Sequence, residues 1–551
     1  MGSPDGALDA GEHALALGDW ERARSAFEAV LAAGDDPAAR LGLSRSLWWL
    51  QDVDGALLHA EDAYVGFRTR GDRRAAARIA LWLSREYAAV HGNEPASAGW
   101  FARAEGLLRD EPPSSEHGLL DLARAERAHD PGDIRSNAQR ALDVAMAFDD
   151  AALETESLAR LGYAEIALGD VVEGTAKLDE AMAAATGGEV GPLEVIGDVT
   201  CTAIAAFELA ADWQRIEQWG RVIEAWVRTH DDVVVIGFCN ACCAEMFLSS
   251  GHWDQAEGLL TEGLGVLQAS GHRARCVHPA AKLAELRLTQ GRIEEAEQLL
   301  DGYEDLPEAA HAVASLHLAR GETAVAAAVI HRRLNRIGHD SALAAPFLSM
   351  LVDVQLAHGD VGEAATSAEL LSTVARRSNL ARIRALAEAA EGAVALARGD
   401  ADAAGRFESA LEGFVSQGMS VEAARTRMQL ARAVVDRHPE VAVADAKMAL
   451  AEFERFSAPR DADAAAAFLR EHGVSGRTGP KGLELLTRRE TEVLHLLGRG
   501  LTNAEIAARL YISTKTAGHH VSNVLAKLHL KNRSEAAGYA LRYADDLPDE
   551  R

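Results

Sequence analysis

Several things are scarce in this chain, and each scarcity excludes something. Its 551 residues hold only 14 prolines, and aromatics make up 5%. Proline breaks helices and strands bury aromatics, so a helical chain is favoured. No run of eighteen apolar residues occurs, so nothing is expected to span a membrane. Five cysteines with no secretory signal argue against a disulfide framework. The start, MGSPDGALDAGEHALALGDW, is acidic and lacks the basic-then-apolar pattern of a secretory signal. Together these predict a reducing cytoplasm. No G-x-x-x-x-G-K-[S/T] loop is present to cradle phosphates, so ATP is not predicted. No HExxH or Ser/His/Asp set appears, and the chain reads as a non-enzyme with no cofactor. The one β-branched run, DDVVVIGF at 231–238, does not make a sheet.

Charge is abundant but uneven. The chain carries a net −28. Residues 481–544 hold ten lysines and arginines against five acids, a balance of +5 that leaves −33 on the rest. An acidic body repels nucleic acid; a weakly basic C-terminal module does not.

That module is LTRRETEVLHLLGRGLTNAEIAARLYISTKTAGHHVSNVLAKLHLKNRSEAAGYALRY, residues 486–543. It reads as four short helices. Thr487 with Glu490, and Thr502 with Glu505, have capping-box spacing. Ser513 opens the third helix, and Asn532 or Ser534 the fourth. Tyr511 and Ile512 make the tight link between the second and third. In the third helix Ala517, Val521, Val524 and Leu528 share a core face. Lys515, Gly518, His519 and Ser522 lie opposite, where a helix can enter a major groove. Thr514, Thr516 and the helix N-terminus suit phosphate oxygens. Two helices, a turn and a third helix with a polar outer face form a helix-turn-helix.

The stretch resembles the DNA-binding domain of LuxR-type transcriptional regulators. The matching residues include Leu486-Thr487-Arg488-Arg489-Glu490, Gly500-Leu501-Thr502-Asn503, Glu505-Ile506-Ala507, Ile512-Ser513, Lys515-Thr516, His520-Val521, Asn523, Lys527-Leu528 and Arg533. The resemblance implies double-stranded DNA as partner, with Asn503, Thr514, Lys515, Thr516, His519, Ser522, Lys531 and Arg533 as its contacts. It also implies a homodimer through residues 534–543 and an encounter with RNA polymerase. Family members often carry Val-Lys where this chain has Ala517-Gly518, and that lysine is frequently a DNA contact. Gly518 removes it and costs about 1 kcal/mol of helix propensity.

Residues 1–470 are Ala-, Leu- and Glu-rich, and they repeat. A Gly turn is followed five residues on by Ala and four further by a large apolar residue. Gly18-Asp19 has Ala23 and Phe27, with Gly11 before it; Gly169-Asp170 has Leu178, with Gly162 before it. Gly251 has Ala256 and Leu260, Gly291 has Ala296 and Leu300, and Gly321 has Ala326 and Ile330. Gly359 has Ala364, and Gly399-Asp400 has Ala404 with Gly392. Weaker copies sit near Asp52, Ala98 and Asp212. The pattern resembles tetratricopeptide repeats, in which small residues let two helices approach and the large one fills the gap. Large LuxR-type activators carry such a region. The resemblance implies a right-handed superhelix of helix pairs whose first helices line a concave face. With repeats from the N-terminus, no phosphoacceptor receiver or P-loop ATPase domain is expected.

Two constellations could hold chemistry. Cys239, Cys242 and Cys243, with Cys276 and His278 about one repeat later, have the residue types of a metal or redox set. Small cysteines packed in a helical core are the plainer reading. On the concave face, the Gly register points Glu245, His278, Glu285, His311, Ser315 and Asp353 inward, where polar groups can take a small molecule or a protein partner. The predicted fold is all-α: a tetratricopeptide-like array at 1–470, a linker at 471–485 and a four-helix helix-turn-helix domain at 486–546. The predicted function is a DNA-binding transcriptional regulator whose array senses an effector. The alternative is a scaffold whose array recruits partners to DNA constitutively.

Overall fold

The computed structural model describes residues 4–190, 193–230, 243–269, 273–378, 380–474, 486, 488–510, 514–528, 530 and 532–542. The β-branched run at 231–238, Cys239, Cys242, most of the 471–485 linker, Thr487, Tyr511 to Ser513, Lys531 and Tyr543 lie outside these residues. Among the described residues all regular structure is helical. No helix among them is long and apolar enough to cross a membrane. The chain divides into two compact units, Met1–Ala458 and Pro459–Arg551.

The first unit is a stack of antiparallel helical hairpins, as the repeat pattern predicts. Helices Ala151–Leu168 and Val171–Gly187 form one, Ala345–His358 and Val361–Ser378 another, Ala381–Arg398 and Ala403–Ser416 a third. The Gly-Asp punctuation has a physical cause. At the first turn Gly18 takes φ +72 and the Asp19 N–H donates back to the Ala14 carbonyl at 2.9 Å. This left-handed C-terminal cap stops the first helix. The Asp19 carboxylate then accepts from the Arg22 N–H and starts the second. Gln51 and Ala211 adopt the same positive φ, so the copies at Asp52 and Asp212 are genuine without glycine.

The small-and-large rule also has a direct basis. Phe27 is fully buried, and a Cβ at Gly11 or Gly42 would stand 2.6 or 2.3 Å from its ring. One ring thus occupies the space that two glycines leave. Two copies differ from the sequence pattern. After Gly399 the buried pair is Ala403 and Phe407, and Ala404 is only half-buried. An extra turn at 401–402 makes Asp402 the cap residue and moves the frame by one. Near Ala98 the turn is Gly92-Asn93, so the buried small residue is Ser97, and Ala98 is exposed.

Successive superhelical turns touch. Trp213 Nε1 donates to the Gln417 carbonyl, 204 residues on, at 2.7 Å. The Ala274 N–H donates to the Val90 carbonyl at 2.9 Å, and Arg85 pairs with Asp198 at 2.5 Å.

The second unit holds helix Pro459–Glu471, so residue 471 is still helical, and then four short helices: Arg488–Gly498, Asn503–Leu510, Thr514–Lys527 and Arg533–Arg542. Val493, Leu494 and Leu497 meet Ile506, Ala507, Ala517, Val521 and Val524 in one core, with Leu510 and Leu528 at its edge. This is the face division the helical spacing predicts.

Candidate nucleic-acid interface and inner charged groove

The C-terminal helices are positioned by three local devices. First, the Thr502 N–H donates to Glu505 Oε2 at 2.7 Å, and the Glu505 N–H donates to Thr502 Oγ1 at 3.3 Å. The reciprocal capping box fixes the start of the second helix. These bonds, from the Thr502 backbone first and its hydroxyl second, hold the Glu505 carboxyl below its ordinary range. Second, Asn532 rather than Ser534 caps the fourth helix, accepting from the Glu535 N–H at 2.9 Å. Third, Lys527 Nζ lies 2.7 Å from the buried Glu490 carboxylate and ties the end of the third helix to the first.

On the outer face of the third helix, Thr514 and Ser522 are exposed. Ser522 Oγ donates back to the Gly518 carbonyl at 3.0 Å. Gly518 has a packing role: a Cβ there would stand 3.4 Å from Asn503 Nδ2, so the second and third helices meet closely at this point. Asn503 Oδ1 accepts from Arg533 Nη1 at 2.8 Å. Asn503 and Arg533 are thus joined, with the Arg533 Nη2 buried and unbonded among the described residues. The side chains of Lys515, Thr516 and His519 lie outside the described ones, although their backbone is helical as anticipated. In the last helix Ala536 and Ala540 face inward, and a Cβ at Gly498 would stand 2.7 Å from the Ala540 Cβ.

A second site lies in the first unit. Lys282 Nζ is 2.8 Å from Glu245 and 3.7 Å from Glu285. His311 Nδ1 is 2.6 Å from Glu285 Oε1. Arg382 lies 4.0 Å from Glu245 and donates to the Glu208 backbone carbonyl at 3.0 Å. Four of the residues the register points inward, Glu245, His278, Glu285 and His311, are therefore gathered around Lys282, with His278 within electrostatic reach of Glu285. Asp353 stands apart near Arg425, and Ser315 is half-buried. Lys282, Glu208 and Arg382 were not singled out from the sequence. Lys282 was findable, because His278, Lys282 and Glu285 share one helical stripe. Arg382 reaches Glu208 across 174 residues, a contact that only the superhelical path reveals.

The electrostatics follow from this placement. Burial pushes Glu245 upward, but Lys282 and Arg382 outweigh it and hold the carboxyl below its usual range. Burial also opposes ionisation of Glu285, yet Lys282 and His311 bring it down to about 2. Lys282 is held well above the ordinary lysine range, its burial overcome by three carboxylates. Glu208 goes the other way: burial, then Glu245, push it up to about 7 against Lys282 and Arg382. Asp353 is exposed, yet the protein around it strips part of its hydration and pushes it up to about 6 against Arg425.

The cysteines give a plainer picture. Cys276 is buried and its thiol pushed up by burial, against a hydrogen bond with Tyr303. Cys243 is half-buried against the main core. Among the described residues no three Cys, His, Asp or Glu side chains converge as a metal site.

Comparison with known proteins places the C-terminal unit. Residues 484–540 match the family model GerE, bacterial regulatory proteins, luxR family. Transcriptional regulatory protein LnrK of Bacillus subtilis (strain 168) is 48% identical over 71 residues, 13% of this chain and 32% of that protein. Response regulator protein VraR of Staphylococcus aureus (strain NCTC 8325 / PS 47) is 45% identical over 60 residues, 11% of this chain and 29% of that protein. The chain spans about a third of the length of the curated relatives it matches. Among solved structures, the APC/C hetero-tetramer Cut9-Hcn1 aligns over 86% of this chain and 97% of that one, at 13% identity and a TM-score of 0.36. Residues 484–540, with second and third helices that meet closely at Gly518 and capped second and fourth helices, are a helix-turn-helix domain of the luxR family of bacterial regulatory proteins.

Proposed function

We propose that this protein is a sequence-specific DNA-binding transcriptional regulator of the cytoplasm, and that its helical array takes an effector and controls the C-terminal domain. The observation that carries the DNA reading is the third helix, with Ala517, Val521 and Val524 buried and Thr514 and Ser522 outward, within a luxR-family match. A helix so supported presents its polar face to a major groove. Lys515, His519 and Ser522 read bases or the adjoining phosphates. Thr514, Thr516 and Lys531 hold the backbone, and Arg533 does so through its pairing with Asn503.

Effector control rests on the charged cluster around Lys282. Glu208, half-buried and without a bonded cation among the described residues, is pushed up by its surroundings, an arrangement that costs stability. In this reading residues 1–470 are the sensing body, 471–485 the linker and 486–546 the DNA-binding domain. The last helix, residues 534–543, pairs two chains on an inverted repeat, and RNA polymerase is the downstream partner. Gel retardation of the full chain on its own promoter region, followed by footprinting, tests this. A protected inverted repeat is the expected result. Equal affinity for any duplex of the same length would overturn it.

A further inference from the structure

Four repeat turns of the array end on a left-handed glycine that nothing approaches. Gly291, Gly321, Gly359 and Gly399 take φ between +75 and +89, and no atom lies within 4 Å of the place a Cβ would take. Gly251 has the same backbone, φ +83, but its place is filled: a Cβ there would stand 2.1 Å from Phe456 Cδ1. Phe456 is 2% exposed, and Trp253 lies beside it at 6.2 Å between ring centroids. The Arg455 guanidinium stands 4.6 Å over the same ring. The ring sits in a hollow that only a glycine at 251 leaves open.

The two ends of this contact lead to different places. Helix Pro439–Arg455 is the last of the first unit, which ends at Ala458. Directly after the ring the backbone turns: Ser457 takes φ +59, and the Ala458 N–H donates to the Phe453 carbonyl at 2.9 Å. A residue other than glycine keeps that φ only where its surroundings hold it. Helix Pro459–Glu471 follows at once and leads to the C-terminal domain. On the other side, Gly251 ends the helical residues 243–250. That helix carries Glu245, which lies 2.8 Å from Lys282. Six residues, about 9 Å of helix, separate Glu245 from the hollow. One short helix therefore meets the charged cluster near its start and the last residues of the array at its end. A rigid ring in a glycine-sized hollow is either in or out, because Gly251 has no side chain to fill the space in part.

We propose that Phe456 in the Gly251 hollow is a clasp. Closed, it fixes the segment that leads into the C-terminal unit, limits the orientations open to the DNA-binding domain and holds operator affinity low. Open, it frees the domain to engage DNA. The clasp rests on the effector reading above only for what opens it: a ligand at the Lys282 cluster moves the helix of Glu245 and with it the Gly251 turn. Both sites then bias one two-state element.

The test uses the full chain and a duplex from its own promoter region. Phe456→Ala empties the hollow and Gly251→Ala crowds the ring out of it. Gly321→Ala, the control, places a methyl at a similar φ in open space. The first two should bind the duplex roughly 5- to 150-fold more tightly than the unaltered chain, and the control should not. Linkage supplies a check that needs no variant: if the closed clasp opposes DNA, DNA must open the clasp. Saturating duplex should speed amide hydrogen exchange at residues 243–258 and 453–458 of the unaltered chain and leave helix Ala310–Ala319 as it was. The clasp is wrong if the duplex leaves exchange unchanged at both segments. It is also wrong if Phe456→Ala and Gly251→Ala, with helix Ala310–Ala319 still protected, bind as the unaltered chain does. Lys282→Met separates the two readings. If its effect on duplex affinity vanishes in the Phe456→Ala chain, both stand. If it changes affinity by the same factor in both chains, the cluster acts by another route: the effector reading stands and the clasp is wrong. If Phe456→Ala tightens binding and Lys282→Met changes nothing, the clasp stands and the effector reading fails.

Discussion

Gly169 lies against the backbone of Ser378: a Cβ at residue 169 would stand 2.2 Å from that carbonyl oxygen, and its φ is +99. The same glycine ends a helix and seats one superhelical turn on another. Gly321 has a similar left-handed φ of +77, but nothing lies within 4 Å of its Cβ position. Gly321→Ala therefore pays only for φ, about 1 kcal/mol. Gly169→Ala should cost at least twice as much, since a backbone atom must move as well. Urea unfolding of the two variants measures the difference. Equal losses would show that contact between turns contributes nothing.

Lys282 is the next test, because it answers Glu245 and Glu285 together. Lys282→Met leaves Glu245, nine-tenths buried, with only the distant Arg382. Removing one partner of a buried ion pair costs about 3 kcal/mol or more. The double variant Lys282→Met with Glu245→Leu should recover most of that loss. Denaturant midpoints of the three proteins decide it.

The pH dependence has opposite signs at two neighbouring glutamates. Glu285 is lowered to about 2, so its stabilisation is present above the ordinary value of 4.5 and lost as pH falls toward 2. Glu208 is raised to about 7, so its contribution is present below 4.5 and lost as pH rises through 7. Glu208→Gln should accordingly raise the melting temperature relative to the unaltered chain more at pH 8 than at pH 5.5. Glu285→Gln should lower it at both. A pH-independent difference for Glu208→Gln would contradict the placement of its carboxylate.

These sites show what the residues alone make legible. The turn at Gly18 and the packing of Phe27 could be read because both rest on contacts within about sixteen positions. The helix-turn-helix was legible for the same reason: its caps at Thr502 and Asn532 are three-residue devices. Glu245, Glu285 and His311 share a helical register, and they meet around Lys282. Arg382 and Arg333 were not legible. Their neighbours Glu208 and Tyr163 lie some 170 positions away, and the superhelical pitch that joins them has no local signature. The shift from Ala404 to Ala403 is a smaller miss, caused by one added turn before Asp402.

The recognition helix makes a sharper claim. Lys515→Ala should weaken binding to all duplexes alike and lower the salt slope by about one. His519→Ala should change base preference by about 1–3 kcal/mol at one position. Asn503→Ala releases Arg533 from its 2.8 Å bond and should lower affinity without changing preference. Binding of each variant across a set of mutated operators at two salt concentrations separates these outcomes. If Lys515→Ala and His519→Ala leave both affinity and slope unchanged, the outer face is assigned wrongly.

Regulation is the remaining prediction. Residues 481–544 carry about +5 and the rest of the chain −33, so the body should compete electrostatically with DNA for the C-terminal domain. A ligand that neutralises or rearranges charge in the groove changes the terms of that competition. A coupling of about 1–3 kcal/mol between effector and operator corresponds to roughly 5- to 150-fold control. The coupling is reciprocal, so operator DNA must change effector affinity by the same factor. Operator affinity of the full chain is therefore to be compared with that of residues 475–551, with paired half-sites held constant. The full chain should bind more weakly without effector and approach the fragment when effector is added, and the gap should narrow as salt rises. If the two agree at every salt concentration, and neither candidate ligands nor cell extract moves the full chain, the array is a docking surface for other proteins and the domain binds DNA constitutively.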